Sequence, residues 1–187
     1  MCPAAPARLP GQHGRTRRLT LKLTFFVNSV VGYIGNPAAL PTRALAHGLA
    51  LRGNDVRVVE ERQNHAFVRT LREHGSGPSR HFHEHFAALQ HTTWETRTGA
   101  PLLEWVTREV ALIDVAVVVA GVNDEVCQWI ANITRAGLTR VYVDWEPQVI
   151  TDAEAVRLQL ANFELILSPT QPEAHVQWMP IALSLAG

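Results

Sequence analysis

From residue 19 onward, short apolar runs alternate with segments of helical spacing, and this alternation limits the chain to a narrow set of architectures. The runs are 19–27 (LTLKLTFFV), 55–61 (DVRVVEE), 114–121 (DVAVVVAG), 139–145 (TRVYVDW) and 164–168 (ELILS). Each is rich in β-branched or aromatic residues and bounded by turn residues, the pattern of strands buried on both faces. Between them, 41–52 places Leu45 and Leu49 on one helical face, with Gly48 expected to lie close against a sheet and Gly53 expected as the C′ residue. Segment 63–74 would bury Phe67, Val68 and Leu71; a helix opening at Pro101 would bury Leu103, Val106 and Val110. Segment 124–136 turns Val126, Ile130 and Ile133 inward between an Asn123 N-cap and Gly137 as C′. The last helix opens with a capping box, Thr151 with Glu154, and would bury Val156, Leu160 and Phe163.

Parallel crossovers are right-handed, and a sheet covered on both faces is doubly wound. The order of elements therefore predicts an α/β fold: a Rossmann-like, doubly wound, mainly parallel sheet with helices on both faces. With 187 residues, 47% of them hydrophobic, one domain over 19–187 is expected. Residues 1–18, rich in Pro, Gly and Arg, have no apolar stretch and are expected to form a disordered tail rather than a signal peptide. Segment 75–100 fits the alternation least and is read as a loop with one strand near 87–94.

Composition narrows the function classes. A formal net charge of +0 and a pI near 7.1 supply no basic field for nucleic acid or an anionic membrane surface. No segment reaches the run of about 20 apolar residues that a membrane span needs. Two cysteines, Cys2 and Cys127, make no disulfide framework and fit a reducing, cytoplasmic location.

Open α/β sheets bind ligands beyond the carboxyl ends of their strands. That rule selects the loops 28–36, 60–64, 121–124 and 144–148. The first carries Gly32 and Gly35 in a G-x-x-G spacing, followed by Asn36 and Pro37. Neither the dinucleotide fingerprint G-x-G-x-x-G nor a P-loop G-K-[ST] is present, so no nucleotide cofactor is expected. Two readings of this loop remain: the glycines only shape a turn, or Gly32, Gly35 and Asn36 form a rim beside a helix N-terminus that receives a ligand.

Asp144 and Glu146 stand two residues apart, so an extended segment would point both carboxylates the same way, and like charges that close raise one pKa and create a base. The plainer role for both is capping or solvation at the rim. Asp124 falls in a helix's first turn, where the dipole favours a carboxylate whether or not it acts. The run HFHEHF would put His81, His83 and His85 on one face if extended, yet it lacks cysteine partners and the H-E-x-x-H spacing. It is read, with His74 and His91, as part of a solvated polar loop, with no metal site. The sequon at Asn132 falls inside an expected helix and is set aside.

Two stretches resemble a known family. GYIGNPAALPTRALAHGLALRGNDVRVVEE, 32–61, is similar to the opening of the N-terminal domain of GT-B glycosyltransferases, whose first helix reads R-x-L-x-x-x-L-x-x-x-G-[HN]-x-V; here Arg43, Leu45, Leu49, Gly53, Asn54 and Val56 match. The stretch 139–183 resembles the end of the same domain in glycosyltransferases of the spore-maturation type, with D-x-[DE]-P at Asp144, Glu146 and Pro147 and W-x-P at Trp178 and Pro180. The resemblance spans about 21–183 and fails in 75–100. It implies an acceptor-side domain facing a nucleotide-sugar donor held by a C-terminal domain absent from this chain or by a second chain, with an unspecified acceptor. The chain would then be incomplete as a catalyst alone. It further implies Asp144, Glu146 and Asp124 as candidates for the base, and Gly32, Gly35, Asn36, Asn123, His65 and Trp145 as acceptor contacts, Trp145 by stacking on a sugar face. The other classes in view are a non-catalytic Rossmann-like binding module and an NAD(P)-dependent oxidoreductase, the latter disfavoured by the missing glycine fingerprint and the lack of a Y-x-x-x-K pair.

Overall fold

The computed structural model describes residues 20–33, 36–95, 97–146, 150–169 and 178–180, the last three without their side chains. The expected tail and Gly35 lie outside these residues, as does Pro147. Seven strands are described: β1 (Lys22–Val27), β2 (Asp55–Glu61), β3 (Gln90–Trp94), β4 (Val115–Val119), β5 (Thr139–Val143), β6 (Leu165–Ser168) and β7 (Trp178–Pro180). They form one sheet in the order β3-β2-β1-β4-β5-β6-β7, with every pairing parallel. The helices are α1 (Ala39–Leu51), α2 (His65–His74), α3 (Gly77–His85), α4 (Gly99–Val110), α5 (Asp124–Asn132) and α6 (Asp152–Arg157). This is the Rossmann-like α/β arrangement that the alternation predicts.

The core explains why the strands read as continuous apolar runs. In register, Phe25 pairs with Val58 and Val117, and Phe26 with Val59 and Val118. Phe25, Val58 and Val117 belong to one cluster, capped by Ala46 of α1 and Phe82 of α3. Phe26, Val59 and Val118 belong to the other, capped by Trp105 of α4 and Ile130 of α5. Successive side chains point to opposite faces, and both faces are covered. Among the described residues, no helix is long and apolar enough to cross a membrane.

Several local expectations are corrected. Segment 75–100 contains a helix, α3, besides the expected strand; Pro78 in its first turn suits a helix start, and Phe82 is its one buried side chain. The histidine run is therefore helical: His81 and His85 lie one turn apart with ring centroids 3.8 Å from each other and planes tilted by 34°, while His83 meets His91 at 5.3 Å. His74 ends α2 and His91 lies in β3, neither of them in a loop. α1 begins at Ala39 and buries Ala39, Thr42 and Ala46; a Cβ on Gly48 would meet open space, so that glycine permits no close approach. α2 buries Ala66 and Thr70, with Phe67, Val68 and Leu71 only half-buried. α4 starts at Gly99, which makes Pro101 its third residue, and it buries Leu102 and Trp105 where Leu103 was expected. α5 stops at Asn132, well before Gly137, because Ile133 is extended. α6 is short: Gln159 takes a left-handed conformation, and Val156 is 78% exposed while Ala155 and Leu158 turn inward.

Candidate functional site

The chain runs from β1 outward to β2 and β3, then returns to place β4 on the other side of β1. The crevice beyond the carboxyl ends of β1 and β4 is the switch point at which such sheets bind ligands. A cleft of about 320 Å³ lies there, formed by Asn28 and Asn36 after β1, Gly121 and Asp124 after β4, and Asp144 to Glu146 after β5. Tyr142, Glu154 and Arg157 complete its wall. Its size is at the low end for a small-molecule site.

Asp144 leaves β5 with its N–H donating to Leu167 O at 2.9 Å, which fixes its backbone to β6. Its residue is only 9% exposed, and its Oδ1 accepts the Glu146 N–H at 2.9 Å. Burial raises the carboxyl pKa above the ordinary aspartate value; the amide bond opposes this, and the charges of Glu146 and Glu154 add to it. The expected elevation is present in direction, but desolvation leads it. The extended geometry expected for the pair is corrected: the chain bends at Glu146, so Asp144 is buried and Glu146 is exposed.

Asp124 is the first residue of α5 and forms an ion pair with Arg157, whose other terminal nitrogen is 3.7 Å from Glu154 Oε1. The Asp124 carboxylate raises the Arg157 pKa. Asn123 caps α5, its Oδ1 accepting the Glu125 N–H at 2.8 Å, so that side chain serves the helix. Trp145 donates its indole N–H to Thr42 Oγ1 at 2.9 Å, tying the end of β5 to α1 while lining the cleft. Cys127 is buried with its thiol pushed up to about 12, chiefly by desolvation, and is no nucleophile at neutral pH.

The first loop is closed on itself. Glu60 is wholly buried; it accepts the Ser29 hydroxyl on Oε1, and on Oε2 the Val31 N–H at 3.1 Å. His91 Nε2 approaches the same Oε2 at 3.0 Å. Ser29 Oγ in turn accepts the Gly32 N–H at 2.8 Å. Arg43 donates to Val30 O at 2.6 Å and Val31 O at 3.0 Å, and its guanidinium lies over the rings of Tyr33, Phe82 and Phe86. Asn36 Nδ2 donates to Ser29 O at 2.8 Å. The carboxylate, not the imidazole, stands between Ser29 and His91, so this cluster is no nucleophilic triad. A Cβ on Gly32 would fall 2.5 Å from the Ala66 carbonyl carbon and 2.6 Å from Phe67 N. Gly32 therefore lets the loop touch the start of α2, and it is buried away from the cleft.

The structure thus gathers Asn36, Asp124, Asp144, Trp145 and Glu146 around one cleft, and leaves Gly32, Asn123 and His65 outside its lining. His65 is an exposed first residue of α2 at the end of β2. Sequence reasoning missed Tyr142, Glu154 and Arg157 in the cleft, and the Ser29–Glu60–His91 cluster beside it. Glu60 had a readable signal: an acid inside an otherwise apolar strand must find partners when buried. Arg157 had none, since only the fold brings α6 against α5. The chain matches no protein-family model and no curated protein.

Proposed function

We propose that the chain is the acceptor-side domain of a glycosyltransferase, in which the switch-point cleft receives a hydroxyl-bearing acceptor and Asp144 acts as the base. The observation that carries this reading is a carboxyl at the carboxyl end of a central strand, nearly buried and raised in pKa, opening on a ligand-sized cleft. In the reaction the acceptor oxygen bonds to the anomeric carbon, and the bond from that carbon to the donor's phosphate oxygen breaks with its electron pair leaving on the phosphate. The acceptor proton passes to Asp144, whose raised pKa brings it closer to the neutral range in which a general base works best. The nucleotide-sugar donor is supplied by a second domain or chain.

Two features favour the acceptor over a nucleotide in this cleft. Of the first-turn positions of α1, Ala39 already donates its N–H to Asn36 O at 3.2 Å and Pro41 has none, so at most one N–H of the three is open to a phosphate. The lining carries Asp124, Asp144, Glu146 and Glu154, which oppose a diphosphate. The same features weigh against a dinucleotide-dependent oxidoreductase.

The test is release of nucleoside diphosphate from a panel of nucleotide sugars, with the chain expressed in its complete natural reading frame and sugars supplied as acceptors. Acceptor-dependent release that falls at least 100-fold in Asp144→Asn is expected. Release indifferent to Asp144, or none across the panel, overturns the reading.

A further inference from the structure

The cleft's charge and its one idle hydroxyl specify the acceptor more closely. Among the described residues, four carboxylates line it, Asp124, Asp144, Glu146 and Glu154, against a single cation, Arg157. That cation is itself engaged by Asp124 and lies 3.7 Å from Glu154. Low-dielectric walls focus such a field, so a ligand entering here meets net negative potential.

Among the described residues, no group of three His, Cys, Asp or Glu side chains is placed to share a metal ion. An organic cation that enters the cleft would meet this potential.

Tyr142 provides an independent pointer to a ligand. It sits on β5 with only 3% of its surface exposed and lines the cleft, yet among the described residues its hydroxyl has no hydrogen-bond partner. Its ring is fixed edge-on to Phe163 at 5.8 Å, which holds the hydroxyl in place. Among the described residues the hydroxyl is not one of the sealed-off polar atoms that lack a partner, so it opens on the cleft and is free to bond what enters it. Burial pushes the phenol pKa up, so the group remains a neutral donor and acceptor suited to a sugar hydroxyl.

Resting on the acceptor-side reading, we propose that the acceptor is an amino sugar or similar amino-polyol: its ammonium pairs with Glu154 and Glu146 at the rim, a hydroxyl bonds Tyr142, and phosphorylated sugars are rejected. The carboxylates select for the cation by Coulomb attraction in a half-desolvated site, and the same charges exclude a phosphate.

The experiment titrates the 187-residue chain, labelled with 15N, with glucosamine, glucose and glucose 6-phosphate at pH 7 and follows the Gly121 amide and the Trp145 indole N–H. Saturable shifts with glucosamine are expected at a Kd at least tenfold below that of glucose, with no shift from glucose 6-phosphate. Glu154→Gln, a conservative change at a partly exposed site, should weaken glucosamine binding several-fold and narrow its preference over glucose. Equal affinity for glucose and glucosamine, tighter binding of glucose 6-phosphate, or no saturable shift with glucosamine each overturns the proposal. The two readings fail separately: glucosamine binding without any nucleotide-sugar turnover removes the transferase, and transfer to neutral sugars without preference for an amine removes the amino-polyol.

Discussion

His91 Nε2 lies 3.0 Å from Glu60 Oε2, with side chains 6% and 0% exposed, so β2 and β3 are joined through a carboxyl–imidazole contact with almost no access to water. The same carboxylate holds the Ser29 hydroxyl and the Val31 N–H, and this makes Glu60 the anchor of the first loop. Removing one partner of a buried polar network leaves the others unsatisfied, which costs more than the network contributes when intact. Glu60→Ala is expected to lose roughly 3–5 kcal/mol of stability, and Glu60→Gln, which keeps size and part of the bonding, roughly 1–3 kcal/mol. Urea unfolding of the three proteins checks the order; a Glu60→Ala midpoint equal to the wild type would show that the loop is not held this way.

Two glycines that look alike in sequence should respond in opposite directions to alanine. At Gly32 the added methyl meets the Ala66 and Phe67 backbone at 2.5 and 2.6 Å, and backbone atoms at a helix start cannot move aside without shifting α2. Gly32→Ala is expected to destabilise by about 1–3 kcal/mol, the range for overpacking. At Gly48, in the middle of α1 with nothing near the new methyl, Ala should stabilise by about 0.5–1 kcal/mol through helix propensity alone. Chemical denaturation midpoints moving the same way in both variants would contradict this account.

These two positions also show where the sequence was legible. Strand alternation survived into the structure because a doubly covered sheet leaves a continuous apolar record at 114–121 and 139–145. α3 left no such record: only Phe82 is buried, and six polar or charged neighbours hide its period. Helical position alone suggests a packing role for Gly48, yet contact depends on which face the helix turns to the sheet, and Ala46 rather than Gly48 meets it. The Asp144 loop was found through the strand-end rule, whereas Tyr142 was hidden inside a strand that reads as pure core. Arg157 is distant from Asp124 in sequence, and short-range pattern carries no trace of their pairing.

Arg157 offers a prediction in which stability and binding separate. Its ion pairs with Asp124 and Glu154 are half exposed, and such pairs contribute little to folding. Arg157→Gln is therefore expected to leave the thermal midpoint nearly unchanged while freeing two carboxylates toward the cleft. Glucosamine should bind several-fold more tightly to the variant at low salt, and the gain should shrink as ionic strength rises. Isothermal titration at two salt concentrations measures both; weaker binding by the variant would mean that Arg157, not the acids, receives the ligand.

The role proposed for Asp144 would couple function to stability with a definite sign. Its folded-state pKa is raised, chiefly by burial, above the value it has in the unfolded chain. Below the unfolded value both states are protonated and the group contributes no pH dependence. Between the unfolded and folded values the native state binds the proton more tightly, so stability falls as pH rises through that window and then levels off. Asp144→Asn cannot ionise, and its side-chain oxygen can still accept the Glu146 N–H. The variant should therefore be more stable than the wild type at pH 7, with the advantage fading as pH falls through the window and absent below the ordinary aspartate range. Removing a base of this kind should lower acceptor-dependent turnover by about 10²–10⁴-fold at the same time. Thermal midpoints of both proteins from pH 3 to pH 8 check the first half; an advantage as large at pH 3 as at pH 7 would mean that the carboxylate's charge is not what the fold resists. A carboxylate kept where it weakens the fold is what a working base requires, because a site relaxed around its ionised form would leave the proton no reason to transfer.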